Sequence, residues 1–222
     1  SLTAPVEQYL PEFKGVNKKG RAPVVRDLLT HTSGIMGNPP QSIPDLYTKI
    51  DRSLAEAVTL YAQHQVEFEP GSKWQYSNPG IAILGRIIEV QSGKSYEQFL
   101  SERIFQPLGM KDSHFFLPES KRDRLAIVHA KDVAGFKHAP ATILGGDSAK
   151  YPAPEFGLYS TATDLSAFYQ AMLNGKLLSK DSMKTMTEVH TKGIKAGWIA
   201  GNGFGLGWEV VQEPLGTLTL HS

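Results

Sequence analysis

The residue types of this chain, and their spacing, close several routes to a catalytic centre. There is no cysteine, so thiolate nucleophiles and thiolate metal sites are excluded. The seven histidines, at 31, 64, 114, 129, 138, 190 and 221, lack metal-ligand spacing and read as scattered surface or core residues. Gly-x-Ser-x-Gly, the strained turn that presents the serine of an α/β-hydrolase, does not occur. The run Gly201-Asn202-Gly203-Phe204-Gly205-Leu206-Gly207 neither opens a helix nor ends in Gly-Lys-Ser/Thr. It reads as a turn feeding a strand, not as a phosphate loop. Two segments stand above this background: Arg26-Asp27-Leu28-Leu29-Thr30-His31-Thr32-Ser33-Gly34 and Gly71-Ser72-Lys73-Trp74-Gln75-Tyr76-Ser77-Asn78-Pro79-Gly80. The second sets a phenol, Tyr76, just ahead of a helix start, with Asn78 as the expected N-cap and Pro79 at the first helical position. Taken alone, the first is a capped helix end and the second a packed tyrosine beside a cap.

The elements that must hold these segments are mainly helical by pattern. Residues 24–30 predict a short helix closed by Ser33-Gly34, with Gly34 in the left-handed cap conformation. Residues 51–64 predict a helix in which Leu54, Val58 and Tyr61 recur on one face. From Ile81 to Val90 apolar residues run nearly all round, which predicts a buried helix stopped at Gly93. Ser95 and Gln98 suit a capping box for a helix that ends before Pro107. Residues 1–23 predict an extended surface segment with one amphipathic turn at 6–10, and residues 118–157 a long irregular excursion. Helix pattern returns at Thr163, with Leu165, Phe168, Tyr169, Met172 and Leu173 on one stripe, and again after Ser179. The chain closes on a hairpin about Glu213-Pro214-Leu215-Gly216. Strict alternation in its last strand puts Leu218 and Leu220 on one face and Thr217, Thr219 and His221 on the other.

Composition bounds the function classes. The chain has 222 residues, with 23 Lys plus Arg against 22 Asp plus Glu, a net charge of +1. This balance excludes nucleic-acid or acidic-membrane binding driven by overall charge. No apolar run reaches the length of a transmembrane segment.

Together and in this order, the motifs resemble the class C β-lactamase and penicillin-binding serine hydrolase family, which includes D-Ala-D-Ala carboxypeptidases, D-aminopeptidases and esterases. Residues 28–34 match its Leu-Leu-Thr-His-Thr-Ser-Gly signature, and Tyr76-Ser77-Asn78 its Tyr-x-Asn motif. Ser1-Leu2-Thr3-Ala4-Pro5-Val6 with Tyr9-Leu10-Pro11 looks like the segment after the family's first catalytic helix. Pro107-Leu108-Gly109-Met110, Gly157-Leu158-Tyr159-Ser160-Thr161 and Phe204-Gly205-Leu206-Gly207-Trp208 are further landmarks, so the similarity covers essentially the whole chain. The resemblance implies an α+β architecture of the β-lactamase/DD-peptidase type, an antiparallel sheet flanked by helices plus a mainly helical region. On that scheme residues 1–222 are one incomplete domain, with about 24–200 mainly helical and 204–222 a hairpin of the sheet. It also implies acyl transfer through a serine ester on an ester, amide or β-lactam, with no metal or organic cofactor. Tyr76 would relay a proton, its pKa lowered by flanking cations, and Asn78 would bind substrate and help hold the motif's lysine. His221-Ser222 match the first two positions of the Lys/His-Thr/Ser-Gly motif, giving His221 an electrostatic role and Ser222 a substrate contact. Histidine in place of lysine there weakly disfavours an efficient β-lactamase and favours an esterase or peptidase.

One departure is large: no Ser is followed three residues later by Lys, so the family's Ser-x-x-Lys nucleophile motif is missing, and so is the final Gly of the third motif. Truncation at both ends accounts for both, and the expectation is a fragment, inactive alone, that aggregates or folds poorly in isolation. The alternative is a noncatalytic homologue that binds a cell-wall peptide or a protein partner. The expected partner of the intact protein is a small-molecule or peptide substrate, with oligomeric state left open; a periplasmic or secreted location is suggested by the resemblance alone.

Overall fold

The computed structural model describes residues 1–16, 20–43, 46–127, 129–132, 135–138, 148–213 and 216–220. Its architecture is α+β, with helices through most of its length and small antiparallel sheets. The opening segment is not the surface strap expected from its prolines. Helix α1 (Val6–Tyr9) and a 3₁₀ turn (Pro11–Phe13) bury Val6, Leu10, Phe13 and Val16 in the main core. Pro5 bridges Val24, and Val6 N–H donates to Pro23 O at 2.9 Å, so this segment is tied to the next helix from its first residues.

Helix α2 (Val25–Leu29) is started by Asp27, whose carboxylate accepts from Val24 N–H at 2.8 Å and pairs with the Arg21 guanidinium at 2.5 and 2.9 Å. It ends at Thr30, ahead of the expected Gly34 cap, because His31 itself adopts a left-handed φ of +55°. Gly34 is left-handed too, but it serves a close approach: a Cβ there would overlap Phe68 O. After α3 (Leu46–Lys49), helix α4 (Leu54–Tyr61) is capped by Ser53 and Glu56, and buries Leu54, Ala57, Val58 and Tyr61 as the periodicity requires.

Helix α5 (Asn78–Ser92) packs against α2 and α4 and ends at Gly93, φ +70°. Its burial is confined to Pro79, Gly80, Ala82, Ile83, Gly85 and Ile87, and Val90 is 41% exposed, so the apolar circumference does not mean burial all round. Gly85 lies so close to Pro154 that a Cβ would overlap the proline ring. Helix α6 (Tyr96–Leu100) has the expected capping box, Ser95 with Gln98. Helical winding then continues past the expected stop, through a wide π turn (Ser101–Phe105) into α7 (Gln106–Leu108). Pro107 is tolerated there because it falls in the first turn of α7, where a backbone donor is not needed. Phe105, Met110 and Phe115 form a second, smaller core.

The described part of residues 118–157 holds more regular structure than its composition suggests. It contains a 3₁₀ helix (Glu119–Arg124) and an antiparallel hairpin, β1 (His129–Asp132) with β2 (Gly135–His138). Few apolar residues alternate in that hairpin, which is why period-2 patterning missed it. Helix α8 (Ala162–Leu173) is capped by Thr161 and buries Asp164, Ala171 and Met172; Leu165, Tyr169 and Leu173 of the expected stripe are exposed. Helix α9 (Lys180–Thr187) follows its Ser179 cap. The closing hairpin gains a strand: β3 (Gly203–Phe204), β4 (Glu209–Glu213) and β5 (Gly216–Leu220) pair in that order, with Phe204 opposite Glu209 and Glu209 opposite Leu220. The facing of Leu218 and Leu220, and His221 itself, lie outside what is described. No described helix is long and apolar enough to cross a membrane.

Candidate active site

The two segments singled out by sequence lie side by side. Gln75 N–H donates to His31 O at 2.8 Å and Asn78 N–H to Gly37 O at 3.0 Å, so residues 31–37 flank residues 75–78. Between these bonds sits Ser77, 1% exposed, whose own N–H donates to His31 Nδ1 at 3.1 Å. In neutral His31 that acceptance leaves the proton on Nε2. The Ser77 hydroxyl donates to Met36 O at 2.6 Å and accepts from Gly80 N–H at 3.0 Å, which makes Ser77 the N-cap of α5. The sequence reading gave that place to Asn78. Both residue types cap well, and with Ser77 in the role Asn78 becomes the first helical residue. Its half-buried amide makes no hydrogen bond to another described residue.

Tyr76 precedes the cap and faces an aromatic group drawn from four parts of the chain. Its ring centroid lies 4.5 Å from that of His31 and 5.3 Å from that of Trp198. Trp74 and Phe204 close the group: Trp74 lies 5.6 Å from both Trp198 and Phe204, and His31 lies 5.2 Å from Phe204. Each such pair contributes about 0.5–1.5 kcal/mol beyond the area it buries, so the surroundings of the phenol are well fixed.

Among the described residues the surroundings push the Tyr76 pKa up, opposite to the expectation of a depressed value. Burial is the larger cause and the nearby Glu155 carboxylate adds to it. Glu155 acts on three more phenols. Tyr151 donates to its Oε1 at 2.7 Å, and burial followed by the Glu155 charge raises Tyr151 and Tyr61 and pushes Tyr96 up to about 12. Tyr76 is therefore a neutral hydroxyl at physiological pH, able to donate and accept.

Of the four residues expected in the site, Tyr76 and Asn78 are thus adjacent at one helix start. His221 and Ser222 fall outside the described residues, immediately after β5, whose last residue Leu220 pairs with Glu209. Sequence reasoning missed His31, Trp198, Glu155 and Glu209. His31 lies inside the matched signature and had a local signal; the others come from distant segments and had none. Among the described residues no group of three His, Asp or Glu side chains is placed to hold a metal. Cavities of about 380 and 390 Å³ lie elsewhere, one lined by Glu97, Phe105 and His114 and the other by Tyr169, Met183 and Trp208.

Comparison with known proteins identifies the family. A β-lactamase of Yersinia enterocolitica is 29% identical over 97% of this chain and 51% of its own length. The esterase EstB of Burkholderia gladioli is 26% identical over 96% of this chain and 61% of its own. The octameric penicillin-binding protein homologue from Pyrococcus abyssi superposes on all of this chain and half of its own, with a TM-score of 0.80 at 28% identity. The chain spans about half the length of the curated relatives it matches. The β-lactamase family model matches residues 1–222, so with the signature turn, the Tyr-x-Asn motif and the fold in agreement, this chain belongs to the β-lactamase family, with penicillin-binding proteins and an esterase among its relatives.

Proposed function

We propose that these residues supply the Tyr76–Asn78 half of a serine hydrolase site that cleaves an ester, amide or β-lactam through an acyl-enzyme. The observation that carries this reading is the bond from Ser77 N–H to His31 Nδ1, which ties the signature turn to the Tyr-x-Asn segment that carries the phenol and the Asn78 amide. In the mechanism a serine hydroxyl attacks the carbonyl carbon and its proton leaves with a neighbouring lysine's help. The Tyr76 hydroxyl, neutral in its buried setting, passes a proton to the leaving group, and the Asn78 amide holds the substrate. Among these 222 residues no Ser-x-x-Lys occurs, so on this reading the serine and lysine would have to be supplied from outside them. His221 and Ser222, which follow β5 in sequence, would supply the first two positions of the third motif, as the resemblance implies. An esterase or peptidase is favoured over a β-lactamase, because a neutral imidazole at 221 offers a β-lactam carboxylate less than a fixed cation would.

The test begins with the complete reading frame that encodes these residues: a Ser-x-x-Lys within roughly 20–40 residues before Ser1 is expected from the family motif. Its absence would favour a noncatalytic binding relative. The protein from that frame is then assayed on a short-chain nitrophenyl ester and on a chromogenic cephalosporin. Turnover of the ester is expected, and rapid turnover of the cephalosporin alone would reverse the preference.

A further inference from the structure

We infer that Trp198 is the wall that selects the acyl group beside Tyr76, and that Glu209 is the positioning residue holding it there. This rests on the serine hydrolase reading of the same site. Glu209 is completely buried on β4, yet it is spent on a loop. Its Oε1 accepts from Trp198 N–H at 3.1 Å, Ile199 N–H at 2.9 Å and Asn202 Nδ2 at 2.8 Å, while its Oε2 has no hydrogen-bond partner among the described residues. Gly197, at φ +81°, lets the chain close on that carboxyl group, since a Cβ would stand 2.5 Å from Oε1. The loop is thus wound around one oxygen, and the side chain it presents is Trp198.

That indole remains 45% exposed although it touches three aromatic rings, Tyr76, Trp74 and Phe204. A large aromatic side chain that packs against three rings and is still 45% exposed, next to a phenol assigned to proton transfer, provides an apolar surface for a substrate's acyl chain. The ligand class it fits is an acyl group with an apolar or aromatic substituent. The loop has no regular secondary structure of its own to hold the ring, so without the Oε1 acceptor three donors lose their partner together and the wall loses its place.

The test compares Trp198→Ala, Glu209→Ala and Glu209→Gln in the protein from the complete reading frame, on nitrophenyl acetate and nitrophenyl hexanoate. Trp198→Ala and Glu209→Ala should each lower the hexanoate-to-acetate ratio of kcat/KM by about tenfold, the discrimination one or two methylenes carry in an apolar pocket. Glu209→Gln keeps the accepting oxygen and should restore most of the ratio. An unchanged ratio in both alanine variants, or equal loss on both esters, would overturn the assignment. In a background in which every tryptophan but Trp198 is replaced by Phe, acrylamide quenching of Trp198 should rise in Glu209→Ala and stay near the parent value in Glu209→Gln; equal quenching in all three would overturn the clamp. No turnover of any ester or amide by the parent would overturn the serine hydrolase reading and the selectivity with it, while quenching would still decide the clamp.

Discussion

Removing the Ser77 hydroxyl separates two jobs that one atom performs. Ser77→Ala deletes the N-cap of α5, a loss of about 1 kcal/mol at a typical helix. It also strips Met36 O of its 2.6 Å donor in a partly buried setting, worth about 1 kcal/mol more. The sum is about 2 kcal/mol, twice what a cap alone is worth. Ser53→Ala is the internal standard. The Ser53 hydroxyl caps α4 and, among the described residues, bonds only with Glu56 in its own turn, so its loss should stay at about 1 kcal/mol and lower Tm about half as far as Ser77→Ala. Both variants and the parent are melted side by side by circular dichroism in the protein from the complete reading frame. Equal shifts for the two variants would refute the bond to Met36 O as a net contribution, and no shift for Ser77→Ala would refute the cap itself.

Tyr76→Phe should lower kcat/KM by about a hundredfold or more if the hydroxyl relays a proton; retention within about threefold, measured on the preferred ester, would remove it from that role. Gly34→Ala combines a left-handed φ of +74° with overlap against Phe68 O, and should destabilise by more than about 2 kcal/mol in urea unfolding; a loss below about 1 kcal/mol would contradict the close approach. Asp112 accepts from Arg124 and Lys121, which hold its pKa below the ordinary carboxylate value. A depressed folded-state pKa means its contribution is present above about pH 4 and is lost as pH falls below that, through the folded value. Asp112→Asn should flatten the acid limb of stability against pH, and an unchanged limb would sink the assignment.

What was legible in the sequence was what short-range pattern can encode. Leu54, Val58 and Tyr61 sit on the buried face of α4 because a 3.6-residue period allows nothing else, and Ser95 finds Gln98 three residues on. The match of Tyr76 and Asn78 to a family motif was legible for the same reason. The choice of Ser77 over Asn78 as cap was not: both residue types suit, and the decision is made by Met36 O, 41 residues away in sequence. His31 gave no sign that it would turn left-handed, a conformation local propensity disfavours and packing against Tyr76 and Phe204 accompanies. Glu209 read as an ordinary strand residue. Two of its three partners are main-chain donors of a loop 10–11 residues back, which no side-chain pattern announces. The expected Gly-rich turn at 201–207 thus has a second occupation, since its own Asn202 joins the preceding Trp198 and Ile199 around a carboxyl group.

The contact between Gly85 and Pro154 has a mechanical reading. A helix advances 1.5 Å and turns about 100° per residue, so any slip of α5 along its axis by one step would bring the side chain of Leu84 or Arg86 toward the ring of Pro154. The glycine is a notch and the proline a peg, and together they index the helix at its midpoint. Because Asn78 opens that same rod, Ser77 caps it and Tyr76 precedes the cap, the peg lies about two turns along the helix from the segment that carries the phenol. The reach of Tyr76 toward a substrate is therefore gauged about two turns away from it, at a position that carries no functional group.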